Sequence, residues 1–270
     1  MAFLKKFWSF LKKDFLITVS YKVNLIIGFF GMFIGILKFG FMAHFLQAGN
    51  TFPTISKYGG SLISYLVTGG IFMSYVSVAM NSFRSTIRSE QSMGTLEYLL
   101  LSNTPIHQIV LFSGLSSFLW TTLDSSAIFV MVAVLFGVQM KVNLLLSLLI
   151  LALTVICISG IGLMSAGIIM VTKKGDPVGW IFTTLTGLLS GVFYPVSVLP
   201  SYLRAISFVL PPTYAMHALR KALLVGASFH SVEKQIFILV AMSLVTVPTG
   251  ILTFRWGFNE ARRRGSLIEY

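Results

Sequence analysis

Few residues in this 270-residue chain could do chemistry: eight carboxylates, four histidines and one cysteine. His44, His107, His217 and His230 are scattered, with no H-E-x-x-H pair and no Cys/His ligand spacing, so no metal centre is legible. No G-x-S-x-G nucleophile elbow occurs. The phosphate-binding G-x-x-x-x-G-K-[ST] loop is missing too, and the dipeptide Gly-Lys is not present at all. That leaves two ionisable residues inside long apolar runs, Lys38 and Asp124. Intramembrane charges are costly and mark ion pairs, proton relays or substrate contacts. Asp124 is followed by Ser125 and Ser126, and a lone acid of this kind serves packing more often than proton transfer. Lys38 can reach outward past His44, with its stem in the apolar layer and its ammonium at the boundary.

The elements that must position these residues are six long apolar stretches: Val23–Leu46, Gly59–Asn81, Ile106–Gly137, Val142–Thr172, Val178–Tyr194 and Ile236–Phe254. About 20 apolar residues of helix cross a bilayer core. Each stretch but the fifth exceeds that length comfortably, and the fifth is at the short end. Hydrophobic residues make up 56% of the chain and charged residues 10%, with a mean hydropathy of +0.87. These values fit an all-α polytopic membrane protein of six spans, a single transmembrane domain over residues 1–270 without room for a soluble catalytic unit. Counted from the cytoplasmic starts of their helices, Lys38 lies about 22 Å and Asp124 about 27 Å along, a similar depth that permits an ion pair.

The net charge of +12 reads as a topology signal, not as a nucleic-acid footprint. Lys5, Lys6, Lys12, Lys13, Lys22, Arg84, Arg88, Lys173, Lys174, Arg255, Arg262, Arg263 and Arg264 would share one side. The other side has only Lys57, Lys141, Arg204, Arg220, Lys221 and Lys234. Lys/Arg-rich short segments stay cytoplasmic, which places both termini there. The first residues do not read as a cleavable signal peptide, because lysines interrupt any apolar region. They read as an in-plane amphipathic helix over residues 1–22, with Phe3, Leu4, Phe7, Trp8, Leu11 and Phe15 toward lipid and Lys5, Lys6, Lys12 and Lys13 toward phosphates.

Three further signals stand out. Residues 82–105 form the longest cytoplasmic loop, with a short helix in its middle, and its two acids, two arginines and leucine patch suit a docking element. Four of the eight prolines fall between Pro195 and Pro212, where two short helices fit, about 200–209 and 212–224, neither long enough to span. The pairs Gly31/Gly35 and Gly187/Gly191 permit close helix packing, and Pro248 predicts a kink in the last span.

Two of these stretches carry a likeness. Glu90–Pro105 reads E-x-x-x-G-T-L-E-x-L-L-x-S-x-x-P, and Phe193–Arg220 reads F-Y-P-x-S-x-L-P followed by P-x-x-Y and L-R. With the span number and the N-terminal helix, the chain resembles the membrane subunits of type-2 ATP-binding-cassette (ABC) exporters, permeases of bacterial drug, lipid and glycoconjugate export. The resemblance implies two permease subunits, identical or different, around a path, with two separate ATPase subunits on the cytoplasmic face of a bacterial or archaeal cell membrane. ATP and Mg would then be bound by the partner, with no cofactor in this chain. By the same likeness Gly94, Thr95, Leu96 and Glu97 form a coupling helix preceded by Arg88 and Glu90. Tyr194, Pro195, Pro200, Pro211, Tyr214 and Arg220 shape an outer gate over residues 195–226. The competing readings are a secondary transporter that moves protons through Asp124 and a membrane scaffold without transport; too few polar side chains cluster for an intramembrane enzyme.

Overall fold

A computed structural model describes residues 2–47, 58, 61–92, 106–137, 141–172 and 175–263. Apolar runs long enough for a bilayer become helices. The helices in chain order are α1 (Ala2–Ser20), α2 (Lys22–Gln47), α3 (Leu62–Ser92), α4 (Ile106–Phe136), α5 (Leu144–Thr172) and α6 (Pro177–Leu189). There follow α7 (Ser201–Ser207), α8 (Pro211–Arg220), a π-helical turn (Lys221–Val225) and α9 (Glu233–Arg263). No strand occurs among the described residues. Among the described residues five helices contain segments long and apolar enough to cross a membrane: Ile26–Ala43, Leu62–Ser82, Leu111–Phe136, Leu144–Thr172 and Glu233–Ala261. The chain is a multi-pass membrane protein.

Two boundaries differ from the sequence-based expectation, each for a local reason. The second span continues as helix through Ser92, ten residues past its apolar segment, because Ser82–Ser92 contains neither glycine nor proline. The fifth apolar stretch forms only the 13 residues of α6, about 20 Å of helix against a core of roughly 30 Å. Asp176 starts α6 by accepting from the Gly179 N–H at 2.7 Å, with Pro177 in the first turn. α9 runs unbroken through Pro248.

The chain divides into two compact units, Met1–Ala48 with Ser82–Gly137, and Gly49–Asn81 with Val138–Tyr270. In the first, α1 lies along α4 through rings. Phe7 and Phe10 stand 5.5 and 6.2 Å from Phe112, and Phe15 stacks on Trp120 at 6.0 Å. The aromatic stripe of the N-terminal helix therefore packs partly on protein, while Trp8 stays 70% exposed. Lys6, Lys12 and Lys13 lie on this helix, and the Lys13 ammonium sits 4.7 Å from the Phe10 ring centre. Lys5 is also within α1. Lys38 and Asp124 both have exposed side chains, and among the described residues no ion pair joins them.

In the second unit α5 and α9 pack backbone to backbone. A Cβ at Gly250 would collide with the Gly160 carbonyl, and one at Gly257 with the Gly167 carbonyl. Thr246 Oγ1 donates to the Cys157 carbonyl at 2.9 Å beside the first of these contacts. Both members of each pair rise in number together, 160 with 250 and 167 with 257, so α5 and α9 run parallel. The start of α5 also meets the segment that leads into α9: Asn143, just before α5, donates its N–H to the Ala222 carbonyl at 2.9 Å and its amide to the Ala227 carbonyl at 3.1 Å. Residues 173–232 must therefore carry the chain back to the end where α5 began. α6 makes most of that return. It begins beside α5 rather than at its tip, since the Ser165 hydroxyl donates to Asp176.

Candidate functional site

After α6 the chain cannot continue as helix. Ser190 closes it by donating its N–H to the Thr186 carbonyl, and Gly191 turns with φ +76°, a conformation that side chains disfavour. Proline then sets each corner. Pro195 is extended (φ −62°, ψ 139°) before a 3-10 turn over Val196–Val198, and Pro200 precedes α7. Pro211 and Pro212 occupy the first turn of α8, where their missing N–H groups cost nothing.

Side chains lock this folded segment together. Arg204 Nη2 donates to the carbonyls of Ser197 at 2.7 Å and Leu199 at 3.0 Å, fixing α7 to the turn before it. The Ser207 hydroxyl donates to the Leu189 carbonyl at 2.7 Å, and Thr213 Oγ1 donates to the Ser207 carbonyl at 2.6 Å. The Tyr194 hydroxyl donates to the Leu188 carbonyl, and that of Tyr214 to the Phe208 carbonyl at 2.8 Å. Buried backbone acceptors in an apolar setting need such donors.

Arg220, the last residue of α8, is the centre of the arrangement. It is 2% exposed. Nη1 donates to the Gly191 carbonyl at 2.5 Å; Nη2 donates to the carbonyls of Val192 at 2.5 Å and Tyr65 at 3.1 Å. Its guanidinium carbon stands 3.3 Å from the centre of the Tyr65 ring. The Tyr65 hydroxyl in turn donates to the Gly191 carbonyl at 3.0 Å. One side chain thus joins the first turns of α3, the bend after α6 and the end of α8. Burial brings the Arg220 guanidinium down to about 10, against the opposing effect of Tyr65 and Tyr58, so it remains a cation at neutral pH. Burial also pushes the Tyr58 phenol up.

Beside this clasp lies a cavity of about 250 Å³. Arg220, Tyr65, Tyr58, His217, Tyr214, Ser190 and Gln235 are among its lining residues. Tyr58 packs against Tyr65 at 5.9 Å and edge-on to His217 at 5.9 Å. The predicted gate residues divide here. Pro195, Tyr214 and Arg220 line the cavity. Tyr194, Pro200 and Pro211 shape the backbone that encloses it. Tyr58, Tyr65, Ser190, His217 and Gln235 carried no sequence signal linking them to Arg220. Gly191, singled out for its spacing from Gly187, instead makes the turn and supplies the carbonyl that both Arg220 and Tyr65 seek.

Of the residues expected to form the coupling region, Arg88 and Glu90 fall within the last turns of α3. Gly94, Thr95, Leu96 and Glu97 lie outside the described residues. Among the described residues no group of three or more His, Cys, Asp or Glu could hold a metal ion.

The sequence matches the ABC-2 type transporter family model over residues 5–224, a stretch from α1 through the clasp. A curated protein similar to it is the linearmycin resistance permease protein LnrN of Bacillus subtilis (strain 168), 24% identical over 186 residues. That alignment covers 69% of this chain and 48% of LnrN, so the chain spans about half the length of the relative it matches.

Proposed function

The chain belongs to the ABC-2 type transporter family, and from that premise we propose that it is the membrane-spanning half of an ATP-driven exporter. Its cargo would be an amphipathic or hydrophobic solute: a drug, a lipid or a lipid-linked glycan. The observation that carries this reading is the family match over residues 5–224 in a chain built of long apolar helices. Such a chain offers a path and no motor, since it lacks a phosphate-binding loop. A separate P-loop ATPase with its ATP and Mg would supply the drive, docking on Arg88, Glu90, Gly94, Thr95, Leu96 and Glu97. Its closure on ATP would shift two permease subunits between inward- and outward-open states. The relative's name, a resistance permease, favours removal of a compound from the cell over uptake.

The parallel packing of α5 and α9 supports six crossings, with α6 and the bend after it making the fifth. An even number puts both termini on one side, and the distribution of lysine and arginine favours the cytoplasm. The clasp would then stand at the outer face, where it would form the gate.

Leu96→Ala and Glu97→Lys test the reading in inside-out vesicles containing the permease and its ATPase. Both variants are expected to insert normally and to hydrolyse ATP with little transport. Normal ATP-dependent transport by both would remove the coupling assignment. Transport that needs no ATP but stops in Asp124→Asn would favour the proton-driven alternative.

A further inference from the structure

The cavity beside Arg220 contains three polar atoms that the clasp leaves unanswered. The terminal nitrogens of Arg220 are taken by carbonyls, but among the described residues its Nε–H has no partner. Ser190 and Gln235 line the same cavity, and their Oγ and Oε1 are also buried without a partner among the described residues. Ser190 is 1% exposed. A buried polar atom without a hydrogen bond costs about 1–3 kcal/mol, and three around one void point to something that fills it.

The chemistry of that occupant follows from the donors and the charge. Nε–H and the Ser190 hydroxyl both donate. Among the described residues no carboxylate lines the cavity, and backbone carbonyls satisfy the terminal nitrogens of Arg220 but neither its Nε–H nor its positive charge. A tetrahedral oxyanion would supply both the acceptors and the counter-charge. The depth follows from α3. Tyr65, which holds Arg220, stands within one turn of Leu62, where the apolar segment of α3 begins. The cavity therefore lies at the level where phospholipid phosphates end the hydrocarbon layer. Phe208, 51% exposed, adds apolar lining against which an acyl chain could rest.

We propose that this cavity binds the phosphate of a phospholipid headgroup, with Arg220 Nε and Ser190 Oγ donating to its oxygens. Gln235 Oε1 then accepts from a headgroup hydroxyl or ammonium, which selects glycerol or ethanolamine headgroups over choline, whose nitrogen carries no hydrogen. Bound there, the lipid would brace the bend after α6 against α8. The proposal rests on the chain's place in a bilayer and is independent of the cargo and of the direction of transport.

The test is thermal unfolding, followed by tryptophan fluorescence, of the delipidated permease with any co-isolated partner in nonionic detergent. The probes are phosphatidylglycerol, phosphatidylethanolamine, phosphatidylcholine, diacylglycerol with the same acyl chains, and inorganic phosphate. The first two lipids are expected to raise the midpoint saturably, phosphatidylcholine less and diacylglycerol not at all. Ser190→Ala with Gln235→Leu should weaken the apparent affinity by about tenfold while moving the lipid-free midpoint little, because Ser190 Oγ and Gln235 Oε1 have no partner among the described residues and only the 3.4 Å contact of Gln235 Nε2 with His217 is lost. Should the double variant misfold, Ser190→Ala alone carries the comparison. Inorganic phosphate that reproduces the whole shift and displaces the lipid would keep the oxyanion site and name a free anion as its occupant. The proposal is overturned if diacylglycerol matches phosphatidylglycerol, if no phosphate-bearing probe shifts the midpoint, or if the variants respond as the parent does.

Discussion

The glycines of α5 and α9 and those of α2 look alike in sequence and do opposite things in space. Gly160 and Gly167 meet Gly250 and Gly257 so closely that no side chain fits between the helices. Gly28, Gly31 and Gly35 on α2 face open space, with no neighbour within 4 Å among the described residues, amid exposed Ile27, Phe30 and Ile34. In a bilayer, lipid tails are as apolar as the helices, so helix association depends on close packing and hydrogen bonds. The second unit provides both within itself: backbone contact between α5 and α9, and the carbonyl clasp around Arg220. The α2 face provides neither. The difference separates a scaffold that holds itself together from a surface left to lipid or to another chain.

The largest effect expected from breaking this contrast is at the clasp. Arg220→Ala leaves the Val192 and Tyr65 carbonyls buried without this donor, and on the order of 3 kcal/mol of stability should go with it. Thermal unfolding of the purified permease reads this loss. A variant as stable as the parent would mean that water or lipid replaces the guanidinium without cost. Next comes the helix pair. Gly250→Ala forces its methyl against the Gly160 carbonyl, and relief by helix displacement should cost about 1–3 kcal/mol. The matching substitution on the open face is the smallest. Gly31→Ala meets no neighbour and should leave the unfolding midpoint unchanged within about 0.5 kcal/mol. Equal losses from Gly250→Ala and Gly31→Ala would erase the distinction between the two regions.

These particular residues also show where the sequence is legible. Helix positions follow from apolar run length, a local property, and the third and fourth spans end within two residues of the predicted bounds. The helical end of α3 is missed because polar residues hide a segment that merely lacks a breaker. Prolines 195 to 212 announce the folded segment, and Arg220 stands out by its resemblance to a family motif. Tyr65 does not, since it lies 155 residues away from the arginine it holds. Among 23 glycines, contact partners 90 residues apart cannot be chosen by spacing, so Gly31/Gly35 drew notice while Gly160 and Gly250 did not.

The most direct test of the central claim is ATP hydrolysis in lipid nanodiscs after affinity purification of this chain with any ATPase that co-isolates. A stable ATPase partner whose hydrolysis changes in Glu97→Lys is the predicted result. A chain that isolates without an ATPase, and whose transport is indifferent to ATP, would contradict it.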